Sequence, residues 1–230
     1  VSSKKIGNRD VIIDNDDSID SIASLNTNAT IDALTVGIGD QLKLNNNFSL
    51  RIENSIANNG IIALTDNGIS SPTTLEINET VSYSGNGVFE NTFTTQNRIV
   101  GTGVLPTLIN QTDLILNSGR MSLDSLTIEN QGSLQANDGT LLTIDGITHI
   151  KGGEINAAGS GDVQTASGVT VENVTIGHLR VLNNRVLNVL GDLTIDGHLR
   201  LEDNGLTIVT ALELDGAVNY HGAGTFETTN

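Results

Sequence analysis

Three aspartates stand in nearly the same phrase: Asp145 in "LTIDG" (142–146), Asp196 in an identical "LTIDG" (193–197) and Asp215 in "LELDG" (212–216). Carboxylates about 5 to 10 Å apart are the working pair of glycoside hydrolysis, one as acid and the other as base or nucleophile. Were the chain to return these phrases to one phase of a coiled repeat, they would form a carboxylate column of the kind a polysaccharide lyase or hydrolase needs. The competing reading is local: Asp before Gly closes a tight turn through its side chain, and Gly supplies positive φ. The turn is preferred, because a sugar groove calls for clustered cations or aromatic platforms. This chain has 11 Lys and Arg, four Phe, two Tyr and no Trp.

Calcium chemistry has one candidate. "DNDDSID" (14–20) gathers Asp14, Asp16, Asp17 and Asp20, and calcium takes six to eight oxygen ligands from short loops of this kind. The run departs from the EF-hand pattern, with Ile19 at the sharp-turn position and no Glu closing the loop, so a solvated loop entering the first repeat is the alternative. "GSGD" (159–162) matches a piece of the calcium-binding nonapeptide of β-rolls, but one copy without tandem neighbours reads as a Gly-rich turn. His178 and His198, each followed two places later by Arg180 and Arg200, share one context, as stacked outward positions on adjacent coils would. Two His could hold a metal, yet no third ligand recurs at that spacing, and no G-x-S-x-G elbow supports a Ser nucleophile.

The elements that would position these residues are short strands. Aliphatic couplets of period two recur throughout, among them Leu34/Val36, Leu50/Ile52, Leu75/Ile77, Leu114/Leu116, Leu126/Ile128, Leu142/Ile144 and Val169/Val171, and alternation of this kind marks half-buried strands. Between them lie "NNN", "NNG", "DNG" and "GNG", whose Asn and Gly tolerate the left-handed backbone of turns. "GHLRV" starts at position 177 and "GHLRL" at 197, while the second "LTIDG" starts at 193 and "LELDG" at 212. A loose period near twenty predicts an all-β parallel β-helix, a β-solenoid of roughly ten coils of about twenty residues over 1–230, right-handed by the crossover rule. The stretch 83–108, richer in Thr and Gly, is expected to be an irregular coil or loop. No capping helix is legible at either end, which would leave an open strand edge.

Composition narrows the function. Twenty-seven acidic against 11 basic residues give a net charge of -16, which repels nucleic acid and anionic membranes, and six scattered aromatics make no base-stacking platform. Nucleic-acid binding and direct membrane insertion are therefore not expected. The chain has no Cys, which removes disulfides and thiolate zinc sites. "VSSKK" at the start does not read as a signal peptide, so a mature form or an excised fragment is expected.

The wording "LTIENQGSLQANDGTLLTIDG" (126–146), preceded by "GTGVLPTLINQTDLILNSGRMSLDS" (101–125), resembles the degenerate repeats of autotransporter passengers and filamentous-haemagglutinin-like adhesins; "NQGSLQAN" and "NNGIIAL" are similar to their turns and strands. The resemblance covers most of the chain by pattern. It implies a right-handed β-helix exported to the bacterial cell surface as a stalk, fibre or adhesive segment, and it carries over no catalytic residue. The expectation is thus a non-enzymatic extracellular β-solenoid without a cofactor, unless calcium binds, whose partners are surface or matrix glycans or proteins. The alternatives are the carbohydrate-active enzyme with its Asp column and a filament subunit pairing with itself end to end.

Overall fold

A computed structural model describes residues 9–13, 20–66, 71–92, 97–205 and 208–229. Among them are 21 strands and no helix, and every strand pairing is parallel. The pairings resolve into three faces of a β-solenoid with about nine turns.

Face A stacks β1 (Val11–Ile13), the second halves of β3 (Ala29–Val36), β5 (Ser49–Asn58), β7 (Thr74–Ser84) and β9 (Arg98–Asn110), then β12 (Thr127–Asn130), β15 (His149–Lys151), and the starts of β18 (Val169–Val181), β19 (Val186–Glu202) and β20 (Ala211–His221). Face B stacks β2 (Ile22–Leu25), β4 (Gln41–Leu44), β6 (Ile61–Leu64), β8 (Val88–Asn91), β10 (Leu114–Ser118), β13 (Ser133–Ala136) and β16 (Glu154–Ala157), continued by the middles of β18 and β19 and the end of β20. Face C takes the first halves of β3, β5, β7 and β9, then β11 (Arg120–Asp124), β14 (Leu141–Asp145), β17 (Asp162–Thr165), the ends of β18 and β19, and finally β21 (Thr225–Thr229). Each face therefore has ten levels, and β18 and β19 each run round a whole coil. At about 4.8 Å per step, nine steps make a rod about 43 Å long.

The alternation read from the sequence becomes inward ladders. On face A the rungs Val81, Leu108, Ile128, Ile150, Val171, Val189 and Leu214 stand in register, and the first six are buried. Each such aliphatic side chain gains about 1.5 to 3 kcal/mol over an exposed one. Tyr83 and Phe89 stack inside with ring centroids 5.9 Å apart. Burial pushes the Tyr83 phenol up to about 12 against a smaller opposing effect of its hydrogen bond with the Asn58 amide.

Corners are set by small or left-handed residues. The C-to-A corner turns at Glu79 (φ 59°), Gly103 (98°), Ser125 (56°) and Gly146 (61°) on successive coils. The B-to-C corner instead needs closeness: a Cβ on Gly197 would lie 1.9 Å from the Gly177 carbonyl oxygen one coil below. Of the stretch 83–108, residues 93–96 lie outside the described residues; β8 and β9 pair on both sides, with register shifts against β10 between Leu116 and Ser118 and against β7 between Asn78 and Thr80, and a Cβ on Gly101 would strike Pro106 and the Ser125 carbonyl.

Candidate functional site

The carboxylate column does not form. Asp145 ends β14 on face C beside Asp124, Asp196 follows the face B part of β19, and Asp215 lies on face A opposite Leu190. One phrase, x-Asp-Gly, closes three different corners: C to A at Gly146, B to C at Gly197 and A to B at Gly216. The turn role is visible at Asp145, whose Oδ1 accepts from the Gly146 amide at 2.8 Å and whose carbonyl accepts from the Thr148 hydroxyl. The carboxylate stacked on Asp145 is Asp124, and it is already engaged by the Arg98 guanidinium at 3.1 Å and the Ser125 hydroxyl at 2.7 Å.

Asp14, Asp16 and Asp17 of the acidic run lie outside the described residues; Asp20 is described and is exposed. Among the described residues no three His, Asp or Glu side chains converge on a point where a metal ion could be held.

The densest polar constellation is on face C across coils seven to nine, and it includes the His and Arg pairs. His178 pairs in register with His198 and Arg180 with Arg200, as their spacing predicts. Leu179 and Leu199 between them are fully buried, so the His and Arg stems stand on the opposite, outward side of the strand. Asp162 at the start of β17 is the hub. Its Oδ1 accepts from Arg180 Nε at 3.0 Å and lies 3.0 Å from His178 Nε2, while Oδ2 accepts from Arg180 Nε at 2.8 Å and also from Nη2. Arg180 then reaches Gln164 Oε1 at 2.9 Å on its own side and Glu202 Oε1 at 2.8 Å on the next coil. His198 meets the Thr225 hydroxyl of the last coil.

The electrostatics follow from these contacts. Burial works to raise the Asp162 carboxyl, but the bonds from His178 and Arg180 together outweigh it and hold it below the usual carboxylate range. The bond to Asp162, despite some desolvation and with help from Glu202, raises Arg180 above its ordinary value. A general base needs a free lone pair within reach of a substrate proton, and the Asp162 oxygens are taken up by nitrogen donors. The arrangement is suited to tying coils together, with each Arg180 branch fixing one neighbouring level.

Sequence reasoning found the two His and the two Arg and missed their partners. Asp162 is visible as the end of "GSGD", where the structure shows a turn closed by the Gly161 amide on the Ala158 carbonyl at 2.9 Å; Glu202 and Gln164 give no signal because they do not recur at the coil period. Face C also carries a shallow polar hollow of about 330 Å³ on the first coils, lined by Asn28, Thr30, Ser49, Arg51 and Glu76. The Arg51 and Glu76 side chains close one wall at 2.8 Å.

On the outward side of face A, His149 stands 3.1 Å from Glu172. Partial burial first, then Lys151, lowers its imidazole below the ordinary value against the pull of Glu172. Comparison with protein-family models, curated proteins and solved structures finds no match to this chain.

Proposed function

We propose that this chain is a non-enzymatic structural segment of an extracellular bacterial surface protein, a stalk or adhesin rod that presents its outward ladders to surface or matrix glycans or proteins. The observation that supports this best is the use made of the polar groups. Three arginines of face C are engaged in ion pairs between coils: Arg51 with Glu76, Arg98 with Asp124, and Arg180 with Asp162 and Glu202. Such pairs lock neighbouring levels and leave a stiff, acidic, well-solvated surface. The enzyme alternative loses the column on which it rested, since its three aspartates stand at three different corners of the coil.

The test is to present a broad panel of polysaccharides and matrix proteins to the immobilised chain, following retention and product release together. Retention without cleavage is expected. Product release that is abolished in Asp124→Asn or Asp145→Asn, whose carboxylates stand in register on face C, would overturn the proposal in favour of a carbohydrate-active enzyme.

A further inference from the structure

The Asp-Gly phrase that closes three corners of the coil also has a covalent chemistry of its own. Four such pairs occur in the chain, at 138–139, 145–146, 196–197 and 215–216. Among the described residues, Asp145 is the aspartate whose carboxylate accepts from the amide that follows it, with Gly146 N 2.8 Å from Oδ1. Oδ1 is bonded to Cγ, so the Gly146 nitrogen is held against the carbon on which it would close a five-membered ring. Reacting groups fixed in contact have already met most of the entropic cost of coming together. Gly146 has no Cβ to shield its nitrogen, and the next residue, Ile147, is 91% exposed, so water reaches the corner. Asp138 and Gly139 are the contrast within the same molecule. There the Gly139 amide donates to Ser160 Oγ at 3.0 Å, and Asp138 Oδ1 accepts from Ser160 N at 2.8 Å and from Oγ at 2.7 Å. Those bonds turn the carboxylate toward the neighbouring coil and hold it below its usual range. Asn156 Oδ1 also accepts from the following amide at 2.8 Å, but that residue, Ala157, has a Cβ and stands in β16 in register with Ala136.

We propose that Asp145 is a modification site, at which the corner rearranges to isoaspartate with its own backbone as the reagent. The Gly146 nitrogen adds to Cγ of the neutral carboxyl. The N–Cγ bond forms, the Cγ–OH bond breaks, and the amide proton leaves with that hydroxyl as water. The succinimide ring then takes water back at either carbonyl, so nothing is oxidised or reduced. Cleavage of the N–Cγ bond restores aspartate, whereas cleavage of the original peptide bond leaves the chain running through Cβ and Cγ. The backbone is then longer by one methylene at the C-to-A corner, and the Asp145 carbonyl has become a free carboxylate. That carbonyl accepts from the Ser125 amide at 3.3 Å and from the Thr148 hydroxyl, so the rearrangement displaces the acceptor of a bond between coils and of one within the corner. The neutral carboxyl is the reactive form, because it can lose its hydroxyl as water, so the rate rises as pH falls from neutral toward the ordinary carboxyl range of about 4.

The test is incubation of the unmodified, folded chain at about pH 5, within a unit or so of the carboxyl range, in water enriched in heavy oxygen. Each passage through the ring places one labelled oxygen on the residue, and chromatography of the digested peptides separates isoaspartate from aspartate. Labelling at Asp145 should exceed that at Asp138 by roughly tenfold or more, since only the first has its attacking nitrogen in place, and isoaspartate should accumulate there. In denaturant, where neither corner exists, the two rates should converge. Equal labelling of Asp145 and Asp138 in the folded chain overturns the proposal. So does an excess at Asp145 that persists undiminished in denaturant, which would trace it to the neighbouring residues in sequence and not to the corner.

Discussion

Replacing Arg180 with Met keeps most of the side-chain stem and removes the charge that joins three coils. The Asp162 and Arg180 side chains are 21% and 28% exposed, intermediate between a surface pair, worth little, and a buried one. Hydrogen bonds to charged groups contribute about 1.5 to 3 kcal/mol; with the solvent-facing part screened, Arg180→Met should cost about 2 kcal/mol. In a stack where each coil touches only its neighbours the loss is local, so the assay is native-state hydrogen exchange resolved by segment. Amides of β17, β18 and β19 should exchange about 30-fold faster, the equivalent of about 2 kcal/mol, while β4 to β6 remain unchanged. The pH dependence has a definite sign. Asp162 is held below its usual range when folded, so its stabilisation is present above the unfolded value of about 3.9 and is lost as pH falls through the lower folded value. The gap between parent and Arg180→Met should therefore be full at neutral pH and close in acid. Equal acceleration in all coils, or a gap that widens in acid, would refute the assignment of Asp162 and Arg180 as a local clamp.

Leu199 is fully buried, so Leu199→Asp should lose about 4 kcal/mol in denaturant melts by placing a carboxyl among aliphatic rungs; a parent-like midpoint would mean that this side of β19 faces outward. Gly197→Ala should cost about 2 kcal/mol in the same melts, since its Cβ would lie 1.9 Å from the Gly177 carbonyl, whereas Gly168→Ala, with its nearest contact at 4.0 Å, should be near neutral. Of the two tyrosines, Tyr83 should ionise only at about 12 in an absorbance titration. Because its folded value is raised, the stability it confers is present below the unfolded value of about 10 and is lost as pH rises through the folded one.

The ladder is what the sequence makes legible. Inward positions must be aliphatic at period two, and the couplets Leu34/Val36, Leu75/Ile77 and Val169/Val171 all fall in strands with the expected side buried. The phase is much harder to read, because three faces use the same couplets and the same turn chemistry. Leu126 and Leu142 open similar couplets, yet the first leads into face A and the second lies on face C. True stacking partners are unevenly spaced, close in sequence for Val171 with Val189 and much further apart for Ile56 with Tyr83. The repeated "LTIDG" misleads for this reason: Asp-Gly answers a local demand for a turn and appears at whichever corner needs one. "GHLR" keeps true phase because β18 and β19, which contain it, each run a whole coil and stay paired from face to face. The partners of the candidate site are hidden by the same logic, since Asp162, Arg180 and Glu202 meet across coils of unequal length.

Cross-coil clamps also have a position that a stacked-coil fold makes meaningful. An interior coil has two neighbours and a terminal coil has one, so unravelling starts at the ends and moves inward level by level. Among the described residues, the two arginines that reach carboxylates on two other levels are Arg9, which meets Asp32 and Glu53 on successive corners, and Arg180, which meets Asp162 and Glu202. One stands at the first described coil and the other on β18, with the levels of β19 and β21 beyond it on face C among the described strands. Arg9, 43% exposed, is screened and gives the weaker hold; Arg180 is the more enclosed and lies two levels inside β21 on face C. If fraying that begins at β20 and β21 is stopped there, exchange in the parent should fall sharply between β20 and β18, and in Arg180→Met the boundary should move toward β16. A boundary that does not move would place the stop in the aliphatic ladder itself, with the ion pairs only decorating it.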